Sequence, residues 1–368
     1  MNNIKVPFND LSRIHSKIAS DFLDESQEII SSSSFVLGPR VAMFENNYSI
    51  LEEAEFCVAV DNGTNAIELM LRAAGIGPND EVITSAMTFI ATVFAIERIG
   101  ARPILVDTLP GSPLIDYSKI EEKITSKTKA ILIVTLHGRV EHLQFYSDIA
   151  SRFNVPLFID GAQSHLGRYN GIPLTKFATA VSTSFYPGKN LGSLGEGGAV
   201  LTDSPEIAKA VVLFRDWGAK EKYEHDYWGG NFRLHAMQAA FLNIKAPYLS
   251  SWTKERQSIA NRYLQEIRRD LLRPEVESKG DHTYHIFDLN VTDRMNVISS
   301  LQQKGISIGI HYPRIVSDNK AYRHLDSNDL QNARVFAAST LSIPLFPGMI
   351  EAEISSVIEA CNQIEKNQ

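Results

Sequence analysis

Cysteine is almost missing from this chain. Its 368 residues contain two, Cys57 and Cys361, far apart and in no Cys-x-x-Cys pair. That excludes a disulfide framework and a cysteine-rich zinc site, and it suits a reducing compartment. Positive charge is in deficit: 36 Lys and Arg stand against 43 Asp and Glu, a formal net charge of −7. A surface so balanced is not built to cover nucleic acid or an anionic membrane, although a local basic pocket for a phosphorylated small molecule stays open. Long apolar runs are lacking too. Residues 130–134 form one of the longest, against the roughly 20 needed to span a bilayer. The segment 1–7 carries no apolar stretch ending in small residues, so no secretory signal is expected and the protein is expected in the cytoplasm. There is no His-Glu-x-x-His and no Gly-x-Ser-x-Gly, and His137 and His142, five apart, would face different sides of a helix. No metal site and no nucleophile-elbow hydrolase is expected.

What is present is an ordinary globular composition, 44% hydrophobic and 21% charged, in a length that suggests two domains. Short apolar runs at 56–60, 81–85, 103–107, 130–135, 156–160, 178–185 and 199–202 alternate with helical stretches such as 65–74, 117–124 and 146–153. Several runs are nearly continuous in Val, Ile and Leu, as buried parallel strands are when helices cover both faces. The order predicts an α/β domain with a mainly parallel sheet. Beyond Phe232 the texture changes. A charge-rich helical stretch, 234–269, is interrupted at Pro247, and strand candidates at 284–291 and 306–312 precede a helical C-terminus. The division expected is a large α/β domain over 15–245 and a small α+β domain over 246–368, which the segment 1–14 joins.

Three stretches carry chemistry. Asp61-Asn62-Gly63-Thr64-Asn65 follows a strand and opens a helix. That is a generic phosphate cradle, and equally an ordinary turn with a helix cap. Asp160 ends an apolar run, at the strand end where open α/β sheets place ligands. It could hold a cationic ring nitrogen or cap the next helix. The third stretch runs from Ser184 through Phe185-Tyr186-Pro187-Gly188-Lys189-Asn190 to Gly198 and presents one lysine among glycines. Such a lysine is either solvated or, once desolvated, able to form a Schiff base with a carbonyl. It is no Walker A loop, because Asn190 follows Gly188-Lys189 and position 183 is Thr.

In order and spacing the stretches resemble the pyridoxal-phosphate-dependent nucleotide-sugar aminotransferases of the DegT/DnrJ/EryC1/StrS family. The likeness starts at Val6-Pro7-Phe8-Asn9-Asp10-Leu11. It passes through Asn62-Gly63-Thr64-Asn65-Ala66, Thr88-Phe89-Ile90-Ala91-Thr92, Asp160-Gly161-Ala162-Gln163 and Ser184 to Gly198, and reaches Gly230-Asn231-Phe232-Arg233-Leu234. The resemblance implies the fold type I architecture of these transferases and pyridoxal 5′-phosphate as cofactor. It implies that Lys189 is the Schiff-base and catalytic lysine and that Asp160 pairs with the ring nitrogen. Gln163 would bond the ring hydroxyl, Phe89 would stack on the ring, and Gly63, Thr64 and Ser184 would hold the phosphate. Asn231 would reach the phosphate from the partner of a homodimer with shared sites. His311 and Tyr312 are candidates for substrate binding.

The implied activity moves an amino group from an amino acid, L-glutamate by resemblance, to a nucleotide-linked keto-6-deoxy-sugar. A dTDP sugar aminated at C-3 or C-4 is expected, for O-antigen, other surface glycans or secondary metabolites. Two alternatives are a 3-dehydratase of the same family, which carries His where Lys189 stands, and a non-catalytic sugar- or cofactor-binding regulator. The chain departs from the family pattern where His-Leu-Tyr-Gly-Gln-Pro is common and it has Thr135-Leu136-His137-Gly138-Arg139-Val140. It departs again after His311-Tyr312-Pro313, where Arg314 follows, and at Gly161 beside Asp160.

Overall fold

The computed structural model describes residues 5–273 and 282–364. The apolar runs form the strands β1 (Phe56–Val60), β2 (Glu81–Ser85), β3 (Arg102–Val106), β4 (Thr128–Val134), β5 (Leu157–Asp160), β6 (Ala180–Ser184) and β7 (Gly198–Thr202). They make one seven-stranded sheet in the order β1-β7-β6-β5-β4-β2-β3. Every pairing from β6 to β3 is parallel, whereas β7 runs antiparallel to both of its neighbours. The carboxyl ends of β1, β6, β5, β4 and β2 therefore share one edge.

Alternation along each strand divides the core. Ile131 and Ile133 of β4 pack on one face with Ile83, Ile159 and Val181, while Ala130 and Leu132 pack on the other with Val58, Phe158 and Val200. Helix α1 (Gly63–Ala73) covers the second face through Ala66, Ile67 and Met70. Asn62 caps it, its Oδ1 accepting the Asn65 amide at 2.8 Å; such a cap stabilises by about 1 kcal/mol. Truncating a fully buried leucine such as Leu132 to alanine would cost about 3 kcal/mol.

After β7 the chain enters helices α2 (Ala236–Lys245) and α3 (Leu249–Glu266). A 3₁₀ turn, Ala246–Tyr248, joins them and carries Pro247, so the predicted interruption is real. A second core gathers Tyr263, Phe287, Leu289, Leu341, Ile343, Val357 and Cys361 around the antiparallel pair β8 (Phe287–Asn290) and β9 (Thr340–Ile343). Val6 belongs to it, paired with Ile306, and Arg13 binds Glu353 through two bonds of 2.6 Å.

Three predicted elements differ. The stretch 306–312 is no strand: Ile306 bridges Val6 and Gly309 bridges Ser342, two single contacts on different neighbours. The strand at 284–291 shortens to β8, because Tyr284 takes φ 45° and turns the chain. The helix at 117–124 is two short 3₁₀ turns, the first capped by Asp116. Among the described residues no helix is long and apolar enough to cross a membrane. Among them, too, no group of three or more His, Cys, Asp and Glu is placed to hold a metal ion.

Candidate active site

A cavity of about 960 Å³ opens at the shared strand edge. Asp160, the last residue of β5, is buried in its floor. Its Oδ2 accepts the Thr92 hydroxyl at 2.7 Å and its Oδ1 accepts the Ala162 amide at 3.2 Å. Burial raises the carboxyl above its ordinary range, against the pull of Thr92, the Ala162 amide and Lys189. It is therefore a carboxylate that gains from a cation placed beside it.

Lys189 follows β6 on a tight turn in which its amide donates to the Tyr186 carbonyl at 2.8 Å. The loop beyond is pinned: the Ser193 hydroxyl reaches the Phe185 and Gly195 carbonyls, and the buried Lys245 ammonium donates to the Gly192 carbonyl at 2.5 Å. Burial pulls the Lys189 amine down to about 8, with the Asp160 charge opposing it. A lysine so placed has a far larger neutral, nucleophilic fraction near neutral pH than an ordinary one.

Gly63, Thr64 and Ser184 line the same cavity. A Cβ on Gly63 would sit 2.7 Å from Cβ of Ser184, so only glycine allows the first turn of α1 to approach the end of β6 this closely. Gln163 accepts the His137 amide on Oε1 at 2.6 Å and turns Nε2 to the Tyr312 hydroxyl at 3.3 Å. Half-exposed Phe89 lies with its ring centre 5.5 Å from that of Tyr312, inclined at 38°. His311 lines the cavity and contacts Ser342 Oγ at 2.9 Å; burial pulls it down to about 4.

One chain thus gathers Gly63, Thr64, Phe89, Asp160, Gln163, Ser184, Lys189, His311 and Tyr312 around a single cavity. Asn231 is not among the lining residues; it is exposed and accepts from Arg233 at 3.0 Å. Three lining or supporting residues escaped the sequence reading. Thr92 was quoted only as the end of a motif, although its i,i+4 spacing from Thr88 was a signal. Arg256 is buried in α3, donates to the Tyr284 and Leu345 carbonyls at 3.2 and 2.9 Å, and is pulled down to about 10 by burial. His285 presents Nδ1 to Asn190 Oδ1 at 3.2 Å. Neither Arg256 nor His285 sits in a motif that spacing alone reveals.

The donor set fits pyridoxal 5′-phosphate. A buried carboxylate suits its ring nitrogen, a lysine of lowered pKa suits its aldehyde, and a glycine-opened helix start with two hydroxyls suits its phosphate.

The sequence profile of the DegT/DnrJ/EryC1/StrS aminotransferase family matches residues 16–362. The dTDP-3-amino-3,6-dideoxy-alpha-D-galactopyranose transaminase of Aneurinibacillus thermoaerophilus is 36% identical over 359 residues, 97% of this chain and 99% of that one. A protein of Geobacillus stearothermophilus named "pleiotropic regulatory protein" is 35% identical over 362 residues, 97% of each. The crystal structure of S. venezuelae DesV in complex with a ketimine intermediate matches with a TM-score of 0.95 at 33% identity, covering 99% of this chain and all of that one. The chain belongs to the DegT/DnrJ/EryC1/StrS aminotransferase family. It has the fold of the pyridoxal-phosphate-dependent aminotransferases, and it is such an enzyme, with pyridoxal 5′-phosphate as its cofactor.

Proposed function

We propose that this aminotransferase moves the amino group of L-glutamate to a dTDP-linked keto-6-deoxy-sugar, at C-3 or C-4, in the cytoplasm, for O-antigen or other surface-glycan sugars. The observation that carries the reading is the size and lining of the cavity. Phe94, Arg98, Tyr186 and Tyr322 line it together with Lys189 and Asp160, and its volume of about 960 Å³ leaves room for a ligand much larger than the cofactor. The name of the Aneurinibacillus relative supports a dTDP sugar. Lys189, where a 3-dehydratase would carry His, supports transfer over dehydration. The paired Lys189 and Asp160 support an enzyme over a regulator, which has no use for an amine of lowered pKa.

When bound, the cofactor supplies an electrophilic carbon for the incoming amine and a ring that absorbs the electron pair left at the donor's Cα. Asp160 would hold the proton on the ring nitrogen, and Thr92 and the Ala162 amide fix the direction of that carboxylate. Gln163 would orient the ring through its hydroxyl, and Phe89 would cover the ring face and exclude water. The Lys189 amine would take the proton from Cα of the donor and later return one to the carbon that becomes the sugar's amine-bearing centre. Gly63, Thr64 and Ser184 would bind the phosphate. On the proposed division into 15–245 and 246–368, His311 and Tyr312 come from the small domain to meet the sugar. The proposed assembly is a homodimer in which Asn231 of each chain completes the partner's phosphate site. Its exposed position outside its own cavity supports this.

The test is incubation of the holoenzyme and glutamate with a panel of dTDP- and UDP-linked 3-keto and 4-keto sugars, with mass spectrometry and NMR of the products. A dTDP-amino-deoxysugar is expected. Amination of simple keto acids alone, with no nucleotide sugar consumed, would overturn the reading.

A further inference from the structure

His137 stands where the family pattern commonly has tyrosine, and it is fully buried. Its Nδ1 lies 3.1 Å from Oδ1 of Asp288 on β8, and its Nε2 lies 2.9 Å from the carbonyl oxygen of His311. A peptide carbonyl can only accept, and so can an ionised carboxylate. A neutral imidazole owns one N–H and would leave one contact as lone pair against lone pair. Moving the missing proton onto Asp288 is opposed by Arg273, whose Nε donates to Oδ2 at 2.9 Å and whose guanidinium lies 4.2 Å from the Phe336 ring centre. Burial pushes the Asp288 carboxyl up, while the charges of Arg273 and Arg139, which do not depend on His137, pull it down. The other titratable neighbours, His282 and His311, are both pulled down by burial. Burial disfavours a charge on either, and Asp288 is the carboxylate that faces His137.

The main chain of the same residue has a second task. Its amide occupies Oε1 of Gln163 at 2.6 Å, so the Gln163 amide can turn only Nε2, a donor, to the Tyr312 hydroxyl.

We propose that His137 carries protons on both ring nitrogens and is a positioning residue. It ties β8 and the His311–Tyr312 segment to the loop after β4, and so fixes the face that Gln163 turns to the cofactor and the one that Tyr312 turns to the sugar. Its effect on catalysis rests on the proposed placement of Gln163 and Tyr312, whereas its ring protons do not.

Two measurements test it. In holoenzyme labelled with ¹⁵N at histidine rings, the His137 nitrogens are assigned by their loss in His137→Gln. Both should carry a directly bonded proton at about pH 7.5. One bare nitrogen overturns the proposal whatever the substrate proves to be. His137→Phe removes both donors, and it should slow single-turnover amination of the sugar by at least about tenfold. His137→Tyr, which returns one donor, should recover part of the loss. In a Tyr312→Phe background His137→Phe should add less than about a further twofold. Equal losses in both backgrounds would show a structural role and overturn positioning. Should His137→Phe not fold, the ring-proton measurement on the unaltered holoenzyme decides.

Discussion

Thr92 and Asp160, 68 residues apart in sequence, meet in the floor of the cavity, where the threonine hydroxyl donates to Oδ2 of the carboxylate at 2.7 Å. The hydroxyls of Thr88 and Thr92 lie 2.8 Å apart. Since Thr92 spends its proton on Asp160, Thr88 donates to Thr92. The entry into the helix Ile90–Arg98 therefore presents a relay of two hydroxyls, Thr88 before the helix and Thr92 in its first turn, that favours the ionised carboxylate and holds it in one rotamer.

Thr92→Val keeps the shape and removes the donor. The half-reaction with glutamate should slow by about five- to twentyfold with the cofactor still bound. Rapid-mixing decay of the cofactor's absorbance band measures this. A rate within twofold of wild type would mean that the Ala162 amide alone suffices.

Asp160→Asn removes the charge proposed to face the ring nitrogen and leaves the fold. The protein should remain coloured, while the same single-turnover decay slows by about two orders of magnitude or more, equivalent to about 3 kcal/mol in barrier. If the decay stays within a few-fold of wild type, Asp160 acts as a cap and the ring nitrogen has another partner.

Lys189→Ala and Lys189→Arg should both abolish turnover. In the unaltered protein the amine lies near 8 instead of 10.5 because burial disfavours its charge. Its neutral form at neutral pH is thus enriched about 300-fold over an ordinary lysine. Since the neutral form reacts, uptake of cofactor by the apoprotein should accelerate as pH rises through about 8 and level off above it. Acceleration that continues unabated towards pH 10.5 would show a solvated amine.

Gly63→Ala would press a methyl group to 2.7 Å from Cβ of Ser184. The proposed phosphate cradle must then open, and affinity for pyridoxal phosphate should fall at least about tenfold, with the apoprotein still folded by circular dichroism. Unchanged affinity in a fluorescence titration would place the phosphate elsewhere.

For shared sites the measurement is complementation. Inactive Lys189→Ala mixed with an Asn231→Ala variant weakened in phosphate binding should regain activity after subunit exchange, because one site of the heterodimer has both wild-type residues. No recovery after confirmed exchange counts against Asn231 acting across the interface.

The large sheet was legible because several of its strands, such as 130–134 and 56–60, are nearly pure apolar runs, and their alternation between two cores follows from period two alone. The lysine loop was legible because a single cation stands among glycines directly after a strand. The wall built by residues beyond 246 was legible only where the resemblance pointed to His311 and Tyr312. Arg256 and His285 reach the site from a helix and a bend, and no local spacing ties them to residue 160 or 189. The segment 306–312 has the composition of a strand, yet it is held by single bridges to Val6 and Ser342. That outcome depends on where two distant segments lie. Thr92 sat in a recognised motif, but its meaning lay in its distance to Asp160, which only the parallel neighbourhood of the sheet creates.

Arg13 and Glu353 are 340 residues apart, and with Val6 in the second core they stitch the opening of the chain to its last helix. Val6 cannot take its place in that core until its partners, residues 259 to 364, have been made. The great loop so closed costs little more than a loop half its size, but it fixes an order of events: the seven-stranded sheet needs nothing beyond Thr202, whereas the second core is sealed only once the residues up to Ile364 have been made. An affinity tag fused tightly before Val6 would therefore burden the last step of folding and leave the first untouched.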